Sequence, residues 1–346
     1  MNTNRIGMLF LAAMATAGLL PPAHAAMKAE IVEVKKIWDA GQHNAFTDLV
    51  RWHDRWWCTF RESDAHVGGD GAIRILTSID GERWESTARL TEQGVDLRDP
   101  KFSVTPAGKL MLNCGGSIYV GTTLKGKQSR VMFSEDGRHW TAPQRILHEG
   151  EWCWRVTWHD GVAYAAVYRS TGASSTPGPE WGLVLYRSRD GVAWELVKEM
   201  EVKGRPNETT LRFAPNGDMI AMVRREAADT MGYIGRAPPP YTQWTWQVSN
   251  HRLGGPNFIR LPSGVWLAGT RDYANLKQGT KAGAKTMLAE LEKDGRLERL
   301  ATFPSGGDNS YPGLVWHDGL LWMSYYSSHE GKTSIYLAKI RIQERE

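Results

Sequence analysis

Short runs of apolar and aromatic residues alternate with turn residues along most of the chain. Six turns each lie between two such runs, and they centre on Asp54, Gly108, Gly161, Gly217, Gly264 and Gly319. Their spacings are 54, 53, 56, 47 and 55 residues. The flanking runs, such as Phe46 to Trp52 and Trp56 to Phe60, are rich in aromatic and β-branched residues, which favours β-hairpins. Six hairpins at this period predict the six blades of a propeller.

A second pattern, Ser-x-Asp-Gly-x-x-Trp, occurs three times, and its copies begin at Ser78, Ser134 and Ser188. Asp-Gly supplies a tight turn, the Ser and Asp side chains hydrogen-bond local backbone, and the Trp anchors the turn in apolar surroundings. A degenerate copy around Asp294-Gly295 lacks the Ser and the Trp. Three copies in register predict that successive blades share one kind of turn.

Together these patterns predict an all-β fold, a six-bladed β-propeller with four-stranded antiparallel blades. Residues Ala29 to Trp38 alternate like a strand but precede blade one, whereas Thr333 to Ile342 supplies blade six with only its third strand. An open blade would leave an unpaired strand edge. We therefore expect the N-terminal strand to complete blade six and close the ring.

Residues 1–25 have the form of a secretory signal peptide. They comprise a basic start at Arg5, an apolar run from Ile6 to Leu20 and the small-residue pattern Ala23-His24-Ala25. A membrane anchor is the alternative, but the run is shorter than the roughly 20 residues that span a bilayer. Residues 26–346 are then expected to form a single propeller domain that is periplasmic or secreted.

Charge and cysteine content narrow the function classes. The formal net charge of +4 is too small and too dispersed to indicate nucleic-acid binding. No Cys or His spacing resembles a zinc site, and we expect neither a metal nor another cofactor. Cys58 and Cys114 occupy corresponding second strands, so a disulfide between them is the alternative to buried free thiols at these positions and at Cys153.

Charged residues recur where chemistry is expected in a propeller. Residues that enter the first strand of each blade and leave the second converge on one mouth of the central funnel. The candidate substrate-binding residues near these positions are Asp48, Arg61, Arg98, Asp99, Arg155, Arg224, Arg271 and Asp308. Unpaired charge is costly in a crowded mouth, so this ring indicates a site, although some pairs will tie blades together. Several arginines facing one pocket suggest an anionic substrate.

Two features near the mouth have alternative roles. Trp152 and Trp154 either pack between blades or stack on a sugar face. The segment from Asp96 to Asp99 either binds a substrate hydroxyl or holds Arg61 in place.

The Ser-x-Asp-Gly-x-x-Trp turns resemble the Asp-box (BNR repeat) of the sialidase, or neuraminidase, superfamily. Glu208, before a first strand, and Arg224, at the end of the next strand, are similar to that family's conserved Glu and to one arginine of its carboxylate-binding triad. Tyr311, within Asn-Ser-Tyr-Pro-Gly, resembles the family's nucleophile. The family's acid/base Asp lies in the blade-one loop, where both Asp64 and Asp70 are eligible.

The resemblance implies a secreted exo-glycosidase that releases terminal sialic acid, or a related acidic sugar, from a glycoconjugate with retention of configuration. A sialoside carries a carboxylate on its anomeric carbon, so a Tyr whose proton is taken by a Glu attacks without like-charge repulsion. The family's first blade normally supplies an arginine that the run Ala45 to Leu49 lacks. Arg61, Arg155 or Arg271 would then substitute for it.

Two other functions remain open. One is a propeller glycosidase that acts on a different glycoside with Asp99 and Glu208 as a carboxylate pair. The other is a non-catalytic propeller that binds glycans or proteins, because fold does not fix function. The joint presence of Tyr311, Glu208, Arg224 and an acidic blade-one loop favours the sialidase-type enzyme.

Overall fold

The computed structural model describes residues 27–170, 181–273 and 283–343. Within these ranges the protein is all-β, with 24 strands in six antiparallel sheets of four strands each. None of the described residues forms a helix that is long and apolar enough to cross a membrane. The predicted six-bladed propeller is confirmed, whereas the predicted signal peptide lies outside the described residues.

Blades 1 to 3 follow one another along the chain, and in each the four strands pair in sequence order. Blade 1 contains β2 (His43–Trp52), β3 (Arg55–Ser63), β4 (Ala72–Ser78) and β5 (Glu85–Leu90). Blade 2 contains β6 (Asp96–Val104), β7 (Leu110–Val120), β8 (Thr123–Ser134) and β9 (Gln144–Ile146). Blade 3 contains β10 (Glu151–His159), β11 (Val162–Arg169), β12 (Gly182–Ser188) and β13 (Glu195–Met200).

Blades 4 and 5 repeat this order, and blade 6 combines the two ends of the chain. Blade 4 contains β14 (Pro206–Phe213), β15 (Met219–Arg225), β16 (Met231–Ala237) and β17 (Thr245–Arg252). Blade 5 contains β18 (Asn257–Arg260), β19 (Trp266–Asp272), β20 (Lys285–Leu291) and β21 (Leu297–Thr302). Blade 6 contains β22 (Asn309–His317), β23 (Leu320–Ser327), β24 (Ser334–Gln343) and β1 (Lys28–Trp38).

The ring closes through the N-terminal strand, as the sequence predicts. Strand β1 pairs with β24, with Ile31 opposite Ile340 and Trp38 opposite Ile335. The innermost strands of blades 1 and 6 also contact each other. Apolar side chains fill the spaces between blades, and Trp56 packs against Trp322 with ring centroids 4.3 Å apart.

The three cysteines are buried free thiols, Cys58, Cys114 and Cys153. Burial raises the pKa of each thiol, so all three remain protonated and unreactive near neutral pH. The alternative disulfide between Cys58 and Cys114 does not form.

The three Ser-x-Asp-Gly-x-x-Trp turns, which we call the outer turns (78–84, 134–140 and 188–194), share one hydrogen-bond pattern. In the second copy, Ser134 Oγ accepts from the Gly137 amide at 2.8 Å, and Asp136 Oδ1 accepts from two further amides at 2.8 Å. The indole of Trp140 donates to the Gly137 carbonyl at 3.0 Å. Gly137 has φ 73°, and a Cβ there would lie 2.2 Å from the ring of Trp57 in blade 1. Each turn is thus stabilised by its own hydrogen bonds and also packs against the neighbouring blade.

Blade 4 has a related turn that the sequence pattern does not reveal. Trp244 donates its indole N–H to the Tyr241 carbonyl at 2.9 Å, as the outer-turn tryptophans do to glycine. Tyr241 has φ 68°, close to the values of those glycines. The geometry is retained although the Asp-Gly pair is absent, so a search for the motif misses this copy.

The first strands of five blades each contain a bulge near the start, and we call these the inner bulges. At each bulge two residues stand opposite one in the second strand. The bulged pairs are Phe46-Thr47, Asp99-Pro100, Trp154-Arg155, Asn207-Glu208 and Tyr311-Pro312. Phe46, Asp99 and Tyr311 have φ values of 67°, 52° and 56°. Bulges redirect side chains, and positive φ in bulky residues is concentrated at functional sites.

Candidate active site

A cavity of about 510 Å³ lies where the inner bulges converge. Bulge residues of four blades contribute to its lining, and these are Phe46, Asp99, Asn207, Glu208 and Tyr311. Its lining also includes five basic side chains, Arg98, Lys127, Arg224, Arg252 and Arg271, against three carboxylates, Asp99, Glu208 and Glu226. The excess of positive charge is suited to an anionic ligand.

Tyr311 and Glu208 form a hydrogen-bonded pair at this cavity. The Tyr311 hydroxyl donates to Glu208 Oε1, and Arg224 Nη1 lies 2.6 Å from the same oxygen and 3.3 Å from the hydroxyl. The Gly255 amide donates to Glu208 Oε2 at 2.8 Å. Gly255 has φ 61°, and a Cβ there would come within 2.4 Å of the Tyr311 ring, so glycine is required for this approach. Three elements therefore fix the carboxylate against the phenol.

The protonation states of this pair are set by burial and by charge. Burial opposes ionisation of Glu208, but the Arg224 guanidinium and the hydrogen bonds to Glu208 hold its pKa below the usual range. Burial and the adjacent Glu208 charge raise the pKa of Tyr311 well above its usual value. The resting pair is a neutral phenol beside a carboxylate, so the carboxylate is ready to accept the phenolic proton.

Asp99 also lines the cavity, on the blade-2 inner bulge, with 8% of its surface exposed. Burial raises the pKa of Asp99 to about 6, against the opposing effect of Arg98 and Lys101. A carboxyl group with this pKa exchanges a proton near neutral pH, as a general acid requires.

The cavity arginines differ in how they are held. Arg224 and Arg252 both pair with Glu226, the latter at 2.9 Å. Arg271 donates to the Asn309 carbonyl at 3.0 Å and to the Tyr273 hydroxyl at 2.7 Å.

Arg98 pairs with Asp96 at 3.2 Å and is also anchored through the blade-one loop. It donates to the His66 carbonyl at 2.8 Å and lies 5.1 Å above the Phe46 ring. Phe46 stands on the blade-one strand where the resemblance leads us to expect an arginine, so an aromatic ring and the neighbouring Arg98 occupy that side of the cavity.

Two other predicted arginines are bound elsewhere. Arg61 forms two hydrogen bonds to Asp96, at 2.6 and 2.9 Å, and both side chains are fully buried. Arg155 forms a similar pair with Asp48, at 2.8 and 2.9 Å. None of these four residues lines the cavity. Asp96 thus holds Arg61, whereas Asp99 faces the site. The Arg61–Asp96 pair joins the neighbouring blades 1 and 2, and the Arg155–Asp48 pair joins blades 3 and 1, which are not adjacent in the ring.

The structure does not bring Asp64 or Asp70 to the cavity. Both are exposed, and Asp70 accepts a hydrogen bond from the Gly94 amide at 3.3 Å. The same loop instead contributes His66, whose Nδ1 lies 2.6 Å from Asp308 Oδ2. His43 Nε2 lies 3.2 Å from that oxygen.

Asp308 therefore holds the blade-one loop against blade 6. With His43 and His66 it forms a group whose ligand atoms lie within 4.8 Å of one another, the spacing of a metal site. Direct histidine–carboxylate hydrogen bonds account for this geometry without an ion.

Sequence reasoning misses most of the wall opposite Tyr311. Lys127, Tyr168 and Trp181 line it, together with Trp152, one of the two tryptophans considered for sugar stacking. No motif marks the first three, because they come from separate strands and a loop of blades 2 and 3. Trp154 is fully buried under Tyr311, with ring centroids 5.3 Å apart, and serves packing.

Fold and site together define a six-bladed propeller with a charged central cavity. No protein-family model matches the chain, and no curated protein matches it. Among solved structures it is similar to a Dyadobacter fermentans protein of unknown function, with a TM-score of 0.78 and 18% identity over 91% of this chain and 99% of that one.

Two structures of known enzymes are also similar. Trypanosoma rangeli sialidase, in complex with the inhibitor DANA, matches with a TM-score of 0.67 and 13% identity over 87% of this chain and 55% of that one. Penicillium chrysogenum α-L-arabinanase matches with a TM-score of 0.65 and 13% identity over 89% and 98%. The protein therefore shares its fold with glycoside hydrolases, and the chain spans little more than half of the sialidase.

Proposed function

We propose that the protein is a retaining exo-glycosidase of the sialidase type, which hydrolyses the bond to a terminal acidic sugar of a glycan, and that its signal peptide directs it to the periplasm or out of the cell. The observation that carries the proposal is the Tyr311–Glu208 pair beside Arg224, at the centre of a cavity with an excess of basic residues.

Tyr311 is the proposed nucleophile. As its oxygen bonds to the anomeric carbon, its proton passes to Glu208, whose carboxylate already accepts the hydroxyl hydrogen bond. Asp99 protonates the departing glycosidic oxygen, so the leaving group is released as an alcohol. Water then attacks the glycosyl-tyrosine, giving its proton to Asp99 while Tyr311 recovers its own from Glu208. Two displacements at one carbon retain its configuration.

A neutral nucleophile suits an acidic sugar. The substrate carboxylate would repel an ionised Asp or Glu, whereas a phenol that loses its proton during attack avoids this repulsion. Arg224, Arg252 and Arg271 line the same cavity and provide a guanidinium environment for that carboxylate. Asp99 replaces Asp64 and Asp70 as the proposed acid because it lines the cavity and they do not.

The proposal is tested by assaying residues 26–346 on a fluorogenic sialoside beside uronides and neutral glycosides. We expect Tyr311→Phe to lower kcat by about three orders of magnitude or more, as for loss of other covalent nucleophiles. Tyr325→Phe is the matched control, because its buried hydroxyl bonds to the Pro304 carbonyl away from the cavity.

A 2,3-difluorinated acidic sugar should also add its mass to Tyr311 in the wild type and to no residue in Tyr311→Phe. Hydrolysis of neutral glycosides alone, with Tyr311→Phe active, would favour the Asp99–Glu208 carboxylate pair instead. The absence of any hydrolysis would favour a binding module.

A further inference from the structure

The wall of the cavity opposite Tyr311 has no task in the proposed mechanism. It is formed by Lys127 on β8, Trp152 on β10, Tyr168 at the end of β11, and Ser170 and Trp181 beyond it. We call these five residues the far wall. All belong to blades 2 and 3, whereas the reacting pair belongs to blades 4 and 6.

The far wall contains three neighbouring aromatic rings, of which Trp152 and Trp181 are largely buried, with 4% and 6% of their surface exposed. The Tyr168 ring lies nearly parallel to that of Trp181, with centroids 6.4 Å apart and an interplanar angle of 18°. The Trp152 ring also neighbours Tyr168, with centroids 6.4 Å apart and an angle of 35°. Rigid aromatic faces of this kind suit the apolar face of a pyranose ring, and pockets for small ligands combine such surfaces with a few polar groups.

Lys127 places a cation on this surface without a carboxylate partner. Its Nζ lies 5.1 Å from the Tyr168 ring centroid and 5.8 Å from that of Trp152, and it donates to Ser170 Oγ. No described carboxylate forms an ion pair with it, unlike Arg224 and Arg252 in the same cavity. Burial alone lowers the pKa of Lys127 to about 8. Cation–π contacts offset only part of the cost of burying this charge.

The position of Asp99 indicates which part of a substrate meets the far wall. Asp99 stands on blade 2, the blade that also carries Lys127. The group that protonates the glycosidic oxygen lies on the side to which the leaving group departs, so the leaving sugar is directed toward blades 2 and 3. The terminal sugar remains over Tyr311 and the arginines.

From these observations we infer that the far wall is a subsite for a leaving sugar that carries its own anionic group, a carboxylate or a sulfate ester, which pairs with Lys127 while the ring stacks on Trp152, Tyr168 or Trp181. The inference rests on the proposed function. It names the substrate class as an acidic oligosaccharide with anionic groups on adjacent residues.

The test compares substrates with the same terminal acidic sugar linked to a neutral hexose, a uronic acid or an O-sulfated hexose. The wild type is expected to favour an anionic leaving sugar by about tenfold or more in kcat/KM, and the better of the two anionic substrates identifies the group. Lys127→Met should reduce that ratio to within about twofold of unity, and Lys127→Arg should restore most of it. Lys125→Met, on the same strand but exposed, is the matched control and should keep the ratio. A wild type without preference, or a ratio unchanged in Lys127→Met, overturns the inference.

Binding separates this inference from the proposed function. Calorimetric titration with a uronic-acid disaccharide and its neutral analogue needs no hydrolysis. Tighter binding of the acidic disaccharide, lost in Lys127→Met and kept in Lys125→Met, supports the subsite even if Tyr311→Phe shows that the mechanism is wrong. Equal affinities for the two disaccharides in the wild type overturn the subsite even if sialoside hydrolysis is found.

Discussion

The outer turns and the inner bulges both recur around the ring, but the outer turns repeat residue types, whereas the inner bulges repeat a feature of the backbone. The outer turns keep the same residue types, with Ser, Asp, Gly and Trp making the same hydrogen bonds in three blades. The inner bulges keep the same two-against-one register shift in five blades, and their first residues are Phe, Asp, Trp, Asn and Tyr. Where every copy stabilises the same turn, the residue types are uniform. Where the copies surround one cavity, the residue types differ, and the bulges of four blades contribute side chains to its lining.

Asp99 and Asp136 show the contrast within one residue type. Amides of the turn and His139 hold the pKa of Asp136 well below its usual range, although it lies near the surface. Burial raises the pKa of Asp99 to about 6. An outer-turn aspartate is thus stabilised as the anion, and the inner-bulge aspartate is destabilised as the anion. The predictions below exploit this difference.

The largest effect is expected for Asp99→Asn. We expect kcat to fall by about two to four orders of magnitude on substrates with a poor leaving group, because the amide supplies no proton. The stability of the variant should instead increase. The folded pKa is raised from 3.8 to about 6, so the unfolded carboxyl ionises first and stability is lost as pH rises between these values.

At pH 7.5 the Asn variant should therefore be more stable, by up to about 3 kcal/mol, with no gain at pH 3.5. Urea unfolding at the two pH values measures this. A variant that is less stable at pH 7.5 would contradict a raised pKa for Asp99.

The sequence predicts the features that repeat with the same chemistry. Six hairpins, the outer turns and ring closure follow from turn residues and strand patterns. Tyr311, Glu208 and Arg224 follow from a resemblance in local motifs, and the structure brings these three together. What the sequence misses depends on pairing in space. Arg61 has the position of a funnel arginine, and the sequence leaves open whether the Asp96–Asp99 segment holds it, whereas the fold shows that Asp96 does.

The proposed acid, Asp99, differs from the Asp64 and Asp70 of the sequence prediction for a related reason. A bulge interrupts the two-residue alternation of a strand, so the side to which Asp99 points is not evident from its place in the chain. Most of the far wall is not predicted, because apart from Trp152 its residues are distant in sequence and share no motif.

The next effect is expected for Gly137→Ala, at an outer turn. Alanine at φ 73° costs about 1 to 2 kcal/mol, and its Cβ would meet the Trp57 ring at 2.2 Å, which adds about 1 to 3 kcal/mol of overpacking. Gly161→Ala is the matched control, since Gly161 has φ 76° but open space around it. Urea unfolding should show the larger loss for Gly137→Ala, with unchanged kcat for the folded fraction of both. Equal losses would mean that the turn does not lock the blades together.

A smaller loss of stability is expected for Ser134→Ala. The hydroxyl accepts from the Gly137 amide at 2.8 Å and donates to Asp136 at 3.2 Å in a buried position. Its removal should cost about 1 kcal/mol in urea unfolding and leave kcat unchanged. Ser86→Ala, where the hydroxyl accepts only from Arg74 on the exposed surface, should change stability by less than about 0.5 kcal/mol. A change in kcat for Ser134→Ala would contradict the prediction that the outer turns affect stability but not activity.

The smallest change in stability is expected for Asp80→Asn in the first outer turn, and its sign is opposite to that expected for Asp99→Asn. Amides of Glu82 and Arg83 lower the pKa of Asp80 to about 2 from 3.8. Its contribution to stability is therefore complete above pH 3.8 and is lost as pH falls through about 2. The Asn variant should melt slightly below the wild type at pH 7, with the difference vanishing near pH 2, because the amide oxygen accepts the same bonds without the charge.

Melting temperatures from pH 2 to 8 should thus diverge in opposite directions for Asp80→Asn and Asp99→Asn. If Asp80→Asn instead raised the melting temperature at pH 7, aspartates of the outer turns and of the inner bulges would respond alike to neutralisation. That result would contradict the opposite pKa shifts on which the comparison of the two regions rests.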